Sequence, residues 1–81
     1  MQRGDIARII NSFLADEFEV EESKLVPEAL LTDDLGIESL DFVDIVVIIE
    51  QEFGFKATRD EMAKVRTLED MYNYIEQRIR Q

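Results

Sequence analysis

The chain has 81 residues with no cysteine and no histidine, so we expect one small domain over residues 1–81 without disulfides, a thiolate nucleophile, a zinc site of the usual kind or a histidine base. Most enzyme chemistry is excluded on these grounds, and we expect a protein that is not an enzyme. Residues 16–53 hold thirteen acidic residues and one lysine, a net charge of −12, which argues against nucleic acid and anionic membrane and favours basic partners.

The first predicted element is an amphipathic helix over residues 5 to about 16. Its apolar residues follow the spacing of one buried stripe, namely Ile6, Ile9, Ile10, Phe13 and Leu14. The residues before it lack the apolar core of a signal peptide, and the longest apolar run, residues 45–49, is too short to span a bilayer. We therefore expect a structural helix in a soluble, cytoplasmic protein.

Residues 17–38 follow neither a helical nor a strand period, and we expect a long loop here. Its apolar residues are predicted to pin it to the core: Phe18, Val20, Leu25, Val26, Leu30, Leu31 and Leu35. Loops of this length are uncommon in small domains unless they are functional, so this one is expected to frame a site. Its nearby acids, Asp33, Asp34, Glu38 and Asp41, lack the spacing of a calcium loop, and we predict no specific metal site.

The next helix, predicted over residues 40–53, has two apolar faces. At 100° per residue the core face holds Phe42, Ile45, Val46, Ile49 and Phe53. A separate strip of Leu40, Val43 and Val47 is expected to stay at least partly exposed, with Asp41 and Asp44 beside it. An apolar strip with an acidic border is typical of a docking surface, unless the loop covers it.

Ser39 lies directly before this helix. Gly36 adopts backbone angles that other residues avoid and serine is a favoured N-cap, so the chain is predicted to turn at Gly36 and to place the Ser39 hydroxyl at the helix tip. Unpaired N–H groups and the helix dipole would favour a phosphate ester there. A catalytic serine is not supported, because no histidine exists and no lysine is near Ser39 in sequence. The alternative is that Ser39 is only a cap.

Two more helices complete the predicted fold. Thr58 and Glu61 have the spacing of a capping box for a short helix ending near residue 65, and Thr67 with Asp70 begins the last helix. Its buried stripe is predicted to hold Leu68, Met71, Tyr72, Ile75 and Ile79. The predicted fold class is therefore all-α: a small four-helix bundle of three longer helices and one short helix, with a long loop between the first two.

Residues 34–41 read Asp-Leu-Gly-Ile-Glu-Ser-Leu-Asp, and this stretch resembles the attachment site of the acyl carrier proteins. The family signature is an Asp-Ser-Leu triplet that follows an acidic residue, Leu and Gly; here Glu38 stands in place of the aspartate. The resemblance covers nearly the whole chain, and it continues through residues 42–44, 49–53, 58–62 and 67–70.

The resemblance implies a carrier protein. In that family a separate phosphopantetheinyl transferase esterifies the serine hydroxyl, here that of Ser39, with 4′-phosphopantetheine from coenzyme A, and the thiol of this arm carries acyl groups as thioesters. A chain without cysteine would thereby gain a thiol. The implied further partners are acyl-handling enzymes with basic docking patches, and the implied state is a monomer. The residues expected to contact partners are Glu38, Leu40, Asp41, Val43, Asp44 and Val47.

The resemblance also places Met62 and Val65 near the mouth of a cavity that receives the acyl chain, although core packing explains both residues equally well. The pathway stays open among fatty acid, polyketide and lipid A synthesis and aminoacyl carriage. The alternative from another class is an acidic interaction module without a prosthetic group, which would bind basic partners through the second helix.

Overall fold

The computed structural model describes residues 2–80. They form α1 (Arg3–Phe18), a 3₁₀ turn (Glu22–Lys24), α2 (Asp41–Phe53), α3 (Arg59–Met62) and α4 (Leu68–Ile79). The all-α prediction of three longer helices, one short helix and a long loop between α1 and α2 is confirmed. The expected domain over residues 1–81 also includes Met1 and Gln81, which lie outside the described residues. Within residues 2–80 no helix is long and apolar enough to cross a membrane.

The core is built from the predicted helical stripes, with α1 packed against α4 and α2 against α3. Side chains with almost no exposed surface come from every part of the fold: Ile6, Ile10, Leu14, Leu31, Ile37, Ile45, Ile49, Met62, Leu68, Met71 and Ile75. Each such burial contributes about 2 kcal/mol to folding, before the entropy cost of ordering the chain. Of the positions predicted to face the core, those only half-buried are Ile9, Phe42, Val46, Phe53 and Ile79.

The loop between α1 and α2 is tied to the segment that joins α3 and α4. The Leu31 N–H donates to the Arg66 carbonyl at 2.9 Å, and the Leu68 N–H donates to the Ala29 carbonyl at 3.0 Å. Between these bonds, Leu30 forms an isolated antiparallel bridge with Thr67. The loop is therefore fixed to the bundle by its backbone as well as by its apolar side chains.

Two predicted loop anchors are wrong. Val26 and Leu30 are 40% and 38% exposed, whereas Ala29 and Leu31 are 4% and 1% exposed. Side chains along an extended stretch point alternately to opposite sides, so the buried pair on either side of Leu30 directs Leu30 outward.

The short helix α3 begins as predicted but ends at Met62, about three residues early. The Thr58 hydroxyl accepts the Glu61 N–H at 3.2 Å, which caps the helix start. Beyond Met62 the bonds tighten to an i→i+3 pattern, with the Lys64 N–H donating to the Glu61 carbonyl at 3.2 Å. Tight turns of this kind commonly end a helix, and Ala63 occupies the C-cap position. The predicted capping box of α4 is confirmed, with Thr67 and Asp70 exchanging both bonds.

Glu61 joins α3 to α4. Its Oε1 accepts the Tyr74 hydroxyl at 2.7 Å and Nη1 of Arg78 at 2.7 Å. The hydrogen bond from Tyr74, followed by the charge of Arg78, holds the pKa of Glu61 below its usual range. Burial, and then the hydrogen bond to Glu61, raises the pKa of Tyr74 to about 12. The Arg78 Cζ also lies 4.9 Å from the centre of the Phe55 ring, so one cluster holds α3 against the last helix.

Candidate functional site

Ser39 lies one residue before the cap of α2, so its predicted role as the N-cap is wrong. The helix begins at Asp41, Leu40 occupies the cap position, and no side chain makes the usual cap bond. The backbone starts to turn earlier than predicted, because the Asp41 N–H donates to the Glu38 carbonyl at 2.9 Å. The Asp41 carboxylate in turn accepts the Glu38 N–H at 2.9 Å, which fixes this first turn in place of the serine.

The first amides of α2 are already paired. The N–H groups of Asp41, Phe42 and Val43 donate to the carbonyls three residues earlier, at 2.9 to 3.3 Å. We expected unpaired N–H groups here that could receive a phosphate, and for these three amides that expectation is wrong. A negatively charged group attached to Ser39 would need other donors.

Gly36 and Ile37 set the position of Ser39. Gly36 has a φ of 74°, in the left-handed region that favours glycine, and the predicted turn at this residue is confirmed. Ile37 is buried, and its N–H donates to the Leu31 carbonyl at 2.9 Å. Because the chain is anchored at Ile37, the next turn carries Ser39 outward, and its side chain is exposed.

Ser39 lines a cleft of about 510 Å³ between the loop, α2 and the α3 segment. The other lining residues are Leu30, Thr32, Asp33, Phe42, Arg59, Met62, Ala63, Val65 and Arg66. The structure thus brings Ser39 together with Met62 and Val65, the two residues proposed from sequence to border an acyl cavity. Met62 is 1% exposed and Val65 is 9% exposed, so they also belong to the core.

Several cleft residues were missed or assigned elsewhere from sequence. The sequence predicts Phe42 and Leu30 only as residues that face the core, and it assigns no site role to Arg59 or Arg66. The available signal was that one arginine begins the short third helix and the other follows it, in a segment that is basic while the preceding helix is acidic. The cleft therefore has apolar walls and two cationic side chains, with Asp33 as its acidic residue.

The exposed strip on α2 is present as predicted. Leu40, Val43 and Val47 are 78%, 44% and 48% exposed, so the alternative that the loop covers them is wrong. Asp44 is exposed beside the strip, whereas Asp41 is half-buried and its carboxylate is bonded to the Glu38 backbone. Of the two α2 acids that are expected to contact a partner, Asp44 is thus more accessible than Asp41.

Asp34 uses its carboxylate to bond the backbone of the loop. The Asp34 carboxylate accepts the Leu30 N–H at 2.7 Å, and the Asp34 N–H donates to the Leu30 carbonyl at 2.9 Å. Across residues 2–80 the structure contains no group of three side chains that could hold a metal ion.

The position and exposure of Ser39 are compatible with a covalently attached phosphopantetheine arm. Its hydroxyl is exposed and takes no part in capping α2, so esterification would break no helix-capping bond. The adjoining cleft offers apolar walls for an attached chain, and its two guanidinium groups suit an anionic ester.

Comparison with known proteins gives concordant matches over most of the chain. Residues 8–75 match the family model described as a phosphopantetheine attachment site. An acyl carrier protein of Thermotoga maritima is 39% identical over 77 residues, covering 95% of each chain. An acyl carrier protein of Thermosynechococcus vestitus is 32% identical over 79 residues, covering 98% of each chain.

Proposed function

The chain belongs to the phosphopantetheine-attachment family of acyl carrier proteins, and from this premise we propose that Ser39 is the residue that carries the arm. The family role is that of a carrier with covalently attached 4′-phosphopantetheine, and it is not enzymatic. The observation that carries the proposal is the placement of an exposed serine, uninvolved in capping, at a cleft beside α2. It is supported by the motif of residues 34–41, in which Glu38 replaces the usual aspartate.

The arm supplies a thiol that holds acyl groups as thioesters. Ser39 holds the arm at the outer edge of the cleft, and Phe42, Met62 and Val65 give apolar surface against which an acyl chain packs. Burial of such a chain contributes about 0.8 kcal/mol per CH₂ group, so even partial insertion shelters the cargo from solvent.

We propose that partners dock on α2 next to Ser39. Leu40, Val43 and Val47 provide the apolar contact, and the acids Glu38, Asp41 and Asp44 surround it. The partners are the phosphopantetheinyl transferase and acyl-handling enzymes with basic patches. The cargo belongs to fatty acid synthesis or to a specialised lipid or polyketide pathway. We further propose that residues 1–81 act as one monomeric domain in the cytoplasm, where coenzyme A supplies the arm.

The test is intact-mass measurement after incubation of the protein with coenzyme A and a broad-specificity phosphopantetheinyl transferase. The wild-type protein should gain the mass of one phosphopantetheine, and Ser39→Ala should gain none. Ser23→Ala is the matched control, since Ser23 is an exposed serine on the same loop, and it should load like the wild type. Because the Ser39 side chain makes no cap bond, Ser39→Ala should change the free energy of unfolding by less than about 0.5 kcal/mol.

The alternative of an interaction module without a prosthetic group makes the opposite prediction for the wild-type protein. An unchanged mass with an active transferase would support that alternative and overturn the carrier proposal. Loading of Ser39→Ala would instead keep the carrier role and overturn the assignment of the residue.

A further inference from the structure

Arg59 and Arg66, the two arginines that line the cleft, form no ion pair within 4 Å in the described part of the chain, although the charge of Arg66 acts on Asp70. The ion pairs within 4 Å among residues 2–80 are Arg3–Glu69, Arg3–Glu76, Arg8–Asp5 and Arg78–Glu61. Arg59 and Arg66 take part in none of these pairs, although the chain has ten more negative than positive charges. Both line the cleft that Ser39 also lines.

The charge of this cleft is opposite in sign to that of its surroundings. Two arginines and one acid, Asp33, line it, whereas residues 16–53 carry a net charge of −12. A guanidinium offers several N–H donors in a planar fork, which matches the oxygens of a carboxylate or a phosphate. Two such groups in one cleft favour an anionic ligand within it.

An anion attached through Ser39 has few donors on α2 itself. The first three amides of that helix donate to the carbonyls of Glu38, Ser39 and Leu40, so they do not point freely to a ligand. The arginines lie on the α3 side of the cleft, one at the start of that helix and the other just before the α4 cap. They are thus the cationic groups on the wall that a chain leaving Ser39 would meet.

We propose that Arg59 and Arg66 bind an oxyanion carried on the arm, and this inference rests on the proposed attachment at Ser39. The shared chemistry is a singly charged oxygen anion with two sources: the phosphodiester beside Ser39, or a carboxylate at the far end of the cargo. In the second case the cleft selects acyl groups that bear a terminal carboxylate over fully apolar ones.

The experiment follows the side-chain Nε–Hε resonances of the arginines by NMR in four states of the protein: unloaded, loaded with the free thiol, loaded with an octanoyl group and loaded with a succinyl group. Intact mass first establishes that each loaded sample carries one arm. Binding of the phosphodiester should shift the Arg59 and Arg66 resonances between the unloaded and free-thiol states. Binding of the carboxylate should shift them between the octanoyl and succinyl states.

A second experiment substitutes the arginines and measures the resonances of the bound anion. The double variant Arg59→Gln/Arg66→Gln removes both guanidinium groups. If the phosphodiester is bound, the ³¹P resonance of the free-thiol form should move in this variant and lose its dependence on salt. If the cargo carboxylate is bound, the carboxylate ¹³C resonance of the succinyl form should do so. In the wild type the same resonance should depend on salt, because the Debye length falls from about 10 Å at 0.1 M to about 3 Å at 1 M. Lys64→Gln is the matched control, since it removes one exposed positive charge beside the cleft without altering its lining.

The outcomes separate this inference from the proposed function. No gain in mass means that the attachment proposal itself has failed. A full gain in mass with unmoved Arg59 and Arg66 resonances in all four states overturns the oxyanion inference and leaves the carrier role intact. Effects of Lys64→Gln and of the arginine substitutions that are equal per charge removed also overturn it, because they would reflect net charge rather than a bound anion.

Discussion

Gly36 is the residue at which the loop turns toward α2, and its φ of 74° lies in the left-handed region. A Cβ here would meet no atom within 4 Å, so the cost of Gly36→Ala comes from backbone conformation alone. We expect this substitution to lower the free energy of unfolding by about 1 kcal/mol. Gly4→Ala is the control: it lies in α1 at a position that is equally open, and alanine should stabilise that helix slightly. Urea denaturation measures both changes, and equal effects would contradict the strain at Gly36.

The start of α2 marks the limit of prediction at the level of single residues. Propensity alone gives no reason to expect that the Asp41 carboxylate, rather than the Ser39 hydroxyl, bonds the backbone at the first turn of α2. The choice depends on where the backbone begins to turn, and burial of Ile37 against the bundle sets that point. A tertiary contact therefore releases the serine hydroxyl from the capping role that its local sequence predicts.

At the level of elements, periodicity predicted the two faces of α2 because side-chain direction on a helix depends only on spacing. Ile45 and Ile49 are fully buried, while Val43 and Val47 are nearly half exposed. The cleft was harder to predict, since its lining combines a helix, a loop and a turn. The outward direction of Leu30 follows from its backbone bridge to Thr67, a contact between residues far apart in sequence.

The cluster around Glu61 gives a prediction about pH. Hydrogen bonding, first from Tyr74 and then from Arg78, lowers the pKa of Glu61 in the folded protein. Its stabilising effect is therefore complete above the ordinary glutamate pKa of about 4.3 and is lost as the pH falls through the lowered folded value. We expect Glu61→Gln to lower the thermal midpoint at pH 7, with a difference from wild type that shrinks below about pH 4.

Asp60→Asn is the control for this pH series. Asp60 lies beside Glu61 in α3, is exposed, and is absent from the Tyr74 and Arg78 cluster. Its substitution should change the thermal midpoint little at either pH. A constant difference between Glu61→Gln and wild type from pH 7 to pH 3 would show that the charge of Glu61 does not hold α3 in place.

The exposed face of α2 predicts that charge and apolar surface affect different rate constants of docking. Rim charges steer the encounter, whereas a desolvated apolar anchor governs dissociation. Asp44→Lys should therefore slow association with the transferase by about tenfold at low salt and flatten its salt dependence. Val47→Ala should leave association nearly unchanged and speed dissociation by up to about fifteenfold, the effect of losing two methylene equivalents.

Stopped-flow measurements across a salt series test both variants, with Glu17→Lys as the control. Glu17 is exposed on α1, so its reversal changes the net charge equally at a different surface. If Glu17→Lys slows association as much as Asp44→Lys does, the effect belongs to total charge and α2 is not the recognition surface. Both α2 variants should stay folded, because Asp44 and Val47 are exposed.

At the level of the whole molecule, the positive charges do not neutralise the acidic region. The four ion pairs within residues 2–80 use Asp5, Glu61, Glu69 and Glu76, and none of these acids falls within residues 16–53. The ion pairs thus support α1, α3 and α4, where the net charge is already close to balanced. The acidic loop and α2 keep their charge without ion pairs to other described residues, at a cost in self-repulsion.

This repulsion predicts that salt stabilises the protein. Screening reduces the repulsion within residues 16–53, whose net charge is −12, while the few exposed ion pairs lose little. We expect the thermal midpoint to rise when NaCl increases from about 0.02 to 0.2 M, by roughly 4–8 °C for each kcal/mol gained in a domain of this size. Neutralising the exposed acids Glu21, Glu28 and Glu50 to glutamine should raise the midpoint at low salt and reduce the response to NaCl. Calorimetry on samples verified as monomeric measures both effects, and an unchanged or lower midpoint in salt would show that repulsion among these acids does not limit stability.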